Sequence, residues 1–420
     1  MRRFLVAATA LVGLLLGAAA AAAPAPSMKH FSGIVPDVPT GGDVPPIARI
    51  ANLPYGGGPV MHSNRTHVIF WQPRDSTLTY DPGYQLQVEL FLRRVAADSH
   101  KPTNVYSLSG QYRDSGGPAA YDSTYAGPLQ VSDPLPANGC AEPPVSGPGW
   151  QVCLNDSQLE NEIRRTISVN RLPIGSHDIY FLVMPNGMGT CETTGPDNCA
   201  LGGQGADGSF CGYHSSTPDG RVLYAVIPYN AISGHCQSDN PRPNSSTADP
   251  ALSTLSHEHN ETVTDPLGDA WIDGAGNEDG DLCIGQYGPN LGGSGAAAYN
   301  EVIGGGHYFL QDEWSNEDRS CRPRDESDPL SFSLPASRIV ARVPVTFTAH
   351  ASDPDGSIVA FNWFFADGGT AHHRTASHTF ARQGSYRVLL RTTDSAGNWA
   401  FVARTVRVAK APAKDLRRPR

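Results

Sequence analysis

Apolar residues in this chain fall into short runs, and the period of each run predicts its element. Thr66-His-Val-Ile-Phe-Trp71, Asp178-Ile-Tyr-Phe-Leu-Val-Met184 and Leu223-Tyr-Ala-Val-Ile227 are near-continuous apolar runs of strand length, as expected of buried strands. Leu86, Leu90, Leu92 and Val95 mark an amphipathic helix over residues 82–98, and a second helix is predicted over 156–169 with Asp156 as its cap. A third opens with Asp249 as N-cap and Pro250 in its first turn, and ends before Pro266. Strands alternating with helices predict an α/β layer with the last helix packed under a sheet. Residues 110–150 and 267–325 lack a clear period and read as loop-rich and as Gly-rich, irregular chain. Near Arg324 to Pro329 the pattern changes. Beyond it, strands are expected over 331–334, 345–348, 358–363, 385–391 and 401–408, separated by Asp/Gly turns. That spacing indicates an all-β, Ig-like sandwich of about 80 residues.

The first 25 residues read as a secretory signal peptide, with Arg2-Arg3 ahead of a short apolar stretch and an Ala-rich cleavage zone. Whether export runs by the Sec or the twin-arginine route stays open. Residues 26–54 form a Pro/Gly-rich leader and residues 410–420 a basic, disordered tail. No later segment is apolar enough to span a bilayer, so a secreted chain without membrane insertion is expected. The formal charge is −10, and losing Arg2 and Arg3 (−10 − 2) makes it −12. An acidic exported protein is a poor partner for nucleic acid. Eight cysteines, none beyond Cys321, favour a disulfide-stapled domain ending near there. Local pairs such as Cys140–Cys153, Cys211–Cys236 and Cys283–Cys321 are plausible, the last clamping the segment after the third helix.

The chemistry concentrates in Ser256-His257-Glu258-His259-Asn260-Glu261, an HExxE pattern related to the HExxH helix of metallopeptidases. At 100° per residue His257 and Glu261 lie about 40° apart, Glu258 stands on their shoulder, and Leu252, Leu255 and Val263 face the other way. An imidazole and a carboxylate at i and i+4 can bind one Zn²⁺, with Glu258 placed as the base that activates water. A third ligand is needed, and Glu278 is the best candidate, with Asp281 fixing the tautomer of His257. His214 or His307 would stabilise the developing oxyanion. Two carboxylates and one imidazole neutralise Zn²⁺, so a harder ion, Ca²⁺ or Mn²⁺, also suits the set. Asp269, Asp273, Glu278, Asp279 and Asp281 alternate with glycines and offer a separate calcium loop, though not at EF-hand spacing. Three alternatives stay open for the helix: a catalytic metal, a structural metal, or a solvated face of Glu258, Glu261 and Asp265 with His257 hydrogen-bonded to backbone; Asp265 is also an alternative ligand, though its place before Pro266 fits a helix-ending turn better.

Two resemblances add to this. Asp353-Pro-Asp-Gly-Ser-Ile358, Trp363-Phe-Phe-Ala-Asp-Gly-Gly369, Ser377-His-Thr-Phe380, Gly384-Ser-Tyr-Arg-Val388 and Thr393-Asp-Ser-Ala-Gly-Asn398 resemble a PKD domain over about 328–409. Ala366 stands where that family usually has Gly. The resemblance implies an extracellular spacer or adhesion module, often attached to secreted hydrolases. His372, His373 and His378 within it are read as loop and strand histidines rather than a metal cluster. Residues 55–325 are similar to the EXORDIUM, or phosphate-induced-protein, family. The motifs are Tyr55-Gly-Gly-Gly-Pro-Val-Met61, Phe210-Cys-Gly-Tyr-His214, the segment from Leu255 to Pro266, Ala270-Trp-Ile-Asp273, Gly276-Asn-Glu-Asp-Gly-Asp-Leu-Cys283 and Glu313-Trp-Ser-Asn316. That resemblance implies a role in the cell wall, and polar His259-Asn260 replaces an apolar pair within its helix. The leading function is therefore a secreted zincin-like metallohydrolase, most simply a peptidase, acting on a peptide or an extracellular or cell-surface polymer. The alternative is a non-catalytic exported wall or matrix protein with a structural metal or none.

Overall fold

The computed structural model describes residues 52–142, 150–195, 197–201, 204–233, 235–325, 330–334, 338–353, 357–395 and 399–410. The segments expected to be a signal peptide and tail, and nearly all of the expected leader, lie outside the described residues, apart from Lys410. The N-terminal domain is built on a five-stranded sheet of β1 (Asn64–Trp71), β2 (Ser123–Val131), β3 (Asp178–Val183), β4 (Tyr213–Ser216) and β5 (Leu223–Ile227). Their order across the sheet is β4-β5-β3-β1-β2; four strands run parallel and the edge strand β4 runs antiparallel to β5. Three helices cover it: α1 (Tyr84–Ala97), α2 (Asp156–Asn170) and α3 (Asp249–Thr264).

Strand alternation sorts the side chains into two cores. Val68, Phe70, Ile179, Phe181, Leu223 and Ala225 meet α1 and the Leu252, Leu255 and Val263 stripe of α3. Ile69, Trp71, Tyr180, Leu182, Tyr224 and Val226 meet Leu159, Ile163 and Ile167 of α2. Both faces are therefore covered, as a largely parallel sheet requires. Across the β4–β5 hairpin His214 pairs with Ala225 and Tyr213 with Val226, so Tyr213 joins the α2 face and His214 the α3 face.

The expected helices and buried strands are present, and two caps are corrected. Asn155, not Asp156, caps α2: its side chain accepts from Gln158 N–H in a capping box. Asp156 sits in the first turn and accepts from the hydroxyls of Tyr213 and Tyr224. Asp249 likewise lies inside α3 behind Ala248, its carboxylate accepting from Asn244 and from the Ser246 N–H. β2 falls in chain expected to be loop. It is an edge strand, half-exposed through most of its length and carrying Gly127-Pro128, so its sequence lacks the apolar run of a central strand. The three anticipated disulfides form, with Cys191–Cys199 as the fourth.

The C-terminal unit is a separate β-sandwich. A three-stranded sheet (Leu330–Ser333, Val345–Ala351, Thr375–His378) faces a four-stranded one (Thr370–Ala371, Ile358–Phe365, Gly384–Asp394, Trp399–Val408). Trp363 lies at the centre with Phe332, Phe347, Val388 and Leu390 around it. His378 stacks on Phe365 and pairs with Asp367, while His372 bonds Asn362, so these histidines are satisfied individually.

Two outcomes are expected. Trp363→Ala should cost about 3–5 kcal/mol, seen in calorimetry as a lower unfolding transition for the sandwich beside an unchanged one for the N-terminal domain. Replacing Cys283 and Cys321 by Ser opens a 38-residue loop. That should cost the N-terminal domain about 2–4 kcal/mol in urea unfolding.

Candidate metal centre

All sixteen residues of α3 are buried, so its acids do not form a solvated face. Burial follows from what covers the helix on each side. β4 and β5 lie on one flank, and the segment 278–283, tied to strand Ser320–Arg322 by Cys283–Cys321, closes another. Two glycines permit the close approach. A Cβ on Gly280 would come 2.6 Å from His257 Nδ1 and 2.9 Å from Glu261 Oε1. One on Gly212 would come 2.5 Å from Thr254 Cγ2 and 3.0 Å from Glu258 Oε1. The polar pair between the two glutamates is accommodated. His259 Nε2 lies 2.9 Å from Asn64 Oδ1 with its ring edge-on to Tyr106 and Phe181, and Asn260 donates to the Ser256 carbonyl.

His257, Glu258 and Glu261 place ligand atoms within 4.8 Å of one another, and so do His214, Glu261 and Glu278. His257 Nε2 is 3.1 Å from Glu261 Oε1, and His214 Nε2 is 2.9 Å from Glu278 Oε2 and 3.8 Å from Glu261 Oε2. Glu261 thus stands between the two histidines. The sequence-derived trio of His257, Glu261 and Glu278 is divided by this arrangement, with Glu278 on the His214 side of Glu261.

Asp281 differs from expectation. Its Oδ1 lies 3.6 Å from His257 Nε2, the same nitrogen that faces Glu261, while its Oδ2 accepts from the Glu278 N–H. Nδ1 faces Gln311 instead, at 3.0 Å, and that amide also donates to the Gly280 carbonyl at 2.8 Å. Gln311 Nε2 thus lies between His257 Nδ1 and the Gly280 carbonyl and holds the imidazole in place from the side opposite Glu261. Nothing in the aperiodic sequence around Gln311 signalled this contact. His307 is exposed and stacks on Tyr299. Asp265 is the helix-ending residue, its Oδ1 accepting from the N–H groups of Asp269 and Ala270. The calcium loop does not assemble: Asp273 turns back on Ala275 and Asn277, Asp279 accepts from Thr264, and Asp269 lies against Gly58. Cys140, Cys153 and Cys191 cluster, but as members of disulfides.

Electrostatics sets this cluster apart. Glu258, Glu261 and Glu278 are wholly buried, and among the described residues none pairs with Lys or Arg. Among the described residues, Glu261 Oε2 and Glu278 Oε1 have no hydrogen-bond donor, and Glu258 has the nearby His214 backbone N–H. Burial, then mutual repulsion with Asp281, pushes Glu261 up to about 8. Burial and the neighbouring acids likewise push Glu278 up. Burial also raises Glu258 well above the usual carboxylate range, against the opposing pull of His257. Burial and the nearby His257 push His214 down to about 3, so it is neutral. Burial opposes charge on His257 too, but Glu261, Asp281 and Glu258 outweigh it and raise its pKa. A small recess reaches the cluster and is lined by Cys211, Gln237, Thr254, His257, Glu258, Ile284 and Gln311.

Comparison with known proteins bears on the C-terminal unit. A family model described as PKD domain matches residues 328–408. A microbial collagenase of Vibrio alginolyticus is 35% identical over 72 residues, 17% of this chain and 9% of that protein. Collagenase ColA of Clostridium perfringens is 25% identical over 114 residues, 26% of this chain and 10% of that protein. These similarities lie over PKD-like regions, and the chain thus spans only about a tenth of either collagenase. Among solved structures, the PKD1 domain of Vibrio anguillarum Epp is 25% identical, covering 21% of this chain and 100% of its own, with a TM-score of 0.19. Residues 328–408 are a PKD domain, carried on the C-terminal side of a disulfide-stapled α/β domain.

Proposed function

We propose that the chain is an exported, zincin-like metal-dependent hydrolase acting on peptide bonds. The observation that carries this is the set of buried, uncompensated carboxylates around His257, reached by a recess that His257 and Glu258 line. An isolated buried carboxylate costs several kcal/mol, and a divalent cation removes that cost for several at once. His257 and Glu261 would hold the ion, with Glu278 supplying a further oxygen across Glu261; Zn²⁺ suits the nitrogen and oxygen donors, Ca²⁺ the oxygens alone. Bound there, the ion would polarise a substrate carbonyl and make water more acidic. Glu258, which lines the recess beside His257, would accept the proton of the attacking water and return it to the leaving amine. His214 is directed at Glu278 and does not line the recess, so the side-chain amide of Gln237 is the better placed donor to a substrate carbonyl. The collagenase similarity supports a PKD module that holds the hydrolase to an extracellular polymer.

A second reading is a non-catalytic wall or matrix protein of the EXORDIUM type with a structural metal. It is favoured by the complete burial of Glu261 and Glu278, which leaves an ion little open coordination.

Glu258→Gln keeps shape and removes the base. Cleavage of a peptide library, measured with zinc present, should fall at least about 100-fold while metal content and melting temperature stay near wild type. Equal cleavage by the variant would remove Glu258 from the chemistry, and no cleavage by either protein would favour the structural-metal reading.

A further inference from the structure

We propose that Glu261 is a bridge between two cation subsites rather than a ligand to one ion. The inference rests on the metal-binding part of the function proposed above and deepens it. The two ligand clusters on α3 share only this residue. Its Oε1 faces His257 Nε2 at 3.1 Å, and its Oε2 faces His214 Nε2 at 3.8 Å. Nitrogen and oxygen ligands at about 2.0–2.2 Å from zinc stand roughly 3.3 Å apart at a tetrahedral angle. The 3.1 Å gap at His257 and the 2.9 Å gap between His214 and Glu278 are both of that size. The 3.8 Å gap fits a wider angle. One subsite is then His257 Nε2 and Glu261 Oε1, beside the recess and next to Glu258; the other is His214, Glu278 and Glu261 Oε2, behind it.

Two further observations point to an ion in the second subsite. Glu278 Oε1 and Glu261 Oε2 are fully buried and have no donor among the described residues. β4 aims His214 at them through strand alternation, and this strand is otherwise the antiparallel edge of the sheet. Two cations held at a distance set by one carboxylate form the arrangement that positions both sides of a displacement reaction.

The test is zinc stoichiometry on the full chain, by elemental analysis after dialysis against buffered Zn²⁺, with Mn²⁺-loaded protein examined by electron paramagnetic resonance. Wild type should hold two zinc ions per chain. His214→Ala and the isosteric Glu278→Gln should each hold one, with an unchanged far-ultraviolet spectrum as the check on folding. The Mn²⁺ spectrum should be that of an exchange-coupled pair. One zinc in wild type overturns the second subsite and leaves the proposed hydrolase intact; none overturns both. Two zinc ions that survive both substitutions, or an uncoupled Mn²⁺ spectrum, overturn the assignment to Glu261.

Discussion

The organising constraint in the N-terminal domain is the burial of several carboxylates around His257 with no Lys or Arg among the described residues paired with them. Apolar packing alone would select against this arrangement, because each unpaired buried charge costs more than a buried leucine returns. The fold nevertheless builds toward it from every side. Alternation along β4 turns His214 inward, Gly212 and Gly280 let backbone close on α3, and Cys283–Cys321 ties down the segment that supplies Glu278 and Asp281. Such convergence on an unfavourable charge distribution is what a bound cation makes favourable.

The sheet and helices were legible because strands buried on two faces and helices with an apolar stripe carry strong periods. The edge strands β2 and β4 were not. β2 alternates partly exposed positions with others, and β4 is four residues long, so neither contains enough pattern to be read alone. For the same reason His214 was known as a residue but not as a neighbour of Glu278; only pairing with Ala225 sets its direction.

The spacing of His257 and Glu261 did give their proximity, since an i, i+4 relation is fixed by the helix itself. What the helix could not give was the sense in which Asp281 and Gln311 approach the imidazole. Those contacts depend on loops between a 3₁₀ turn and a short hairpin, where neither period nor turn chemistry sets direction. The C-terminal sandwich shows the opposite case. Its motifs lie in turns and in a Trp-centred core, both local, and the family match covers the same residues.

The most direct measurement is the melting of the N-terminal domain with and without a strong chelator, in the intact chain. If a cation neutralises the α3 cluster, chelation should lower that domain's transition by several degrees, restoration by Zn²⁺ should reverse it, and the PKD transition should not move. An N-terminal transition indifferent to both chelator and zinc would contradict the account, because the buried acids would then be held by protons alone.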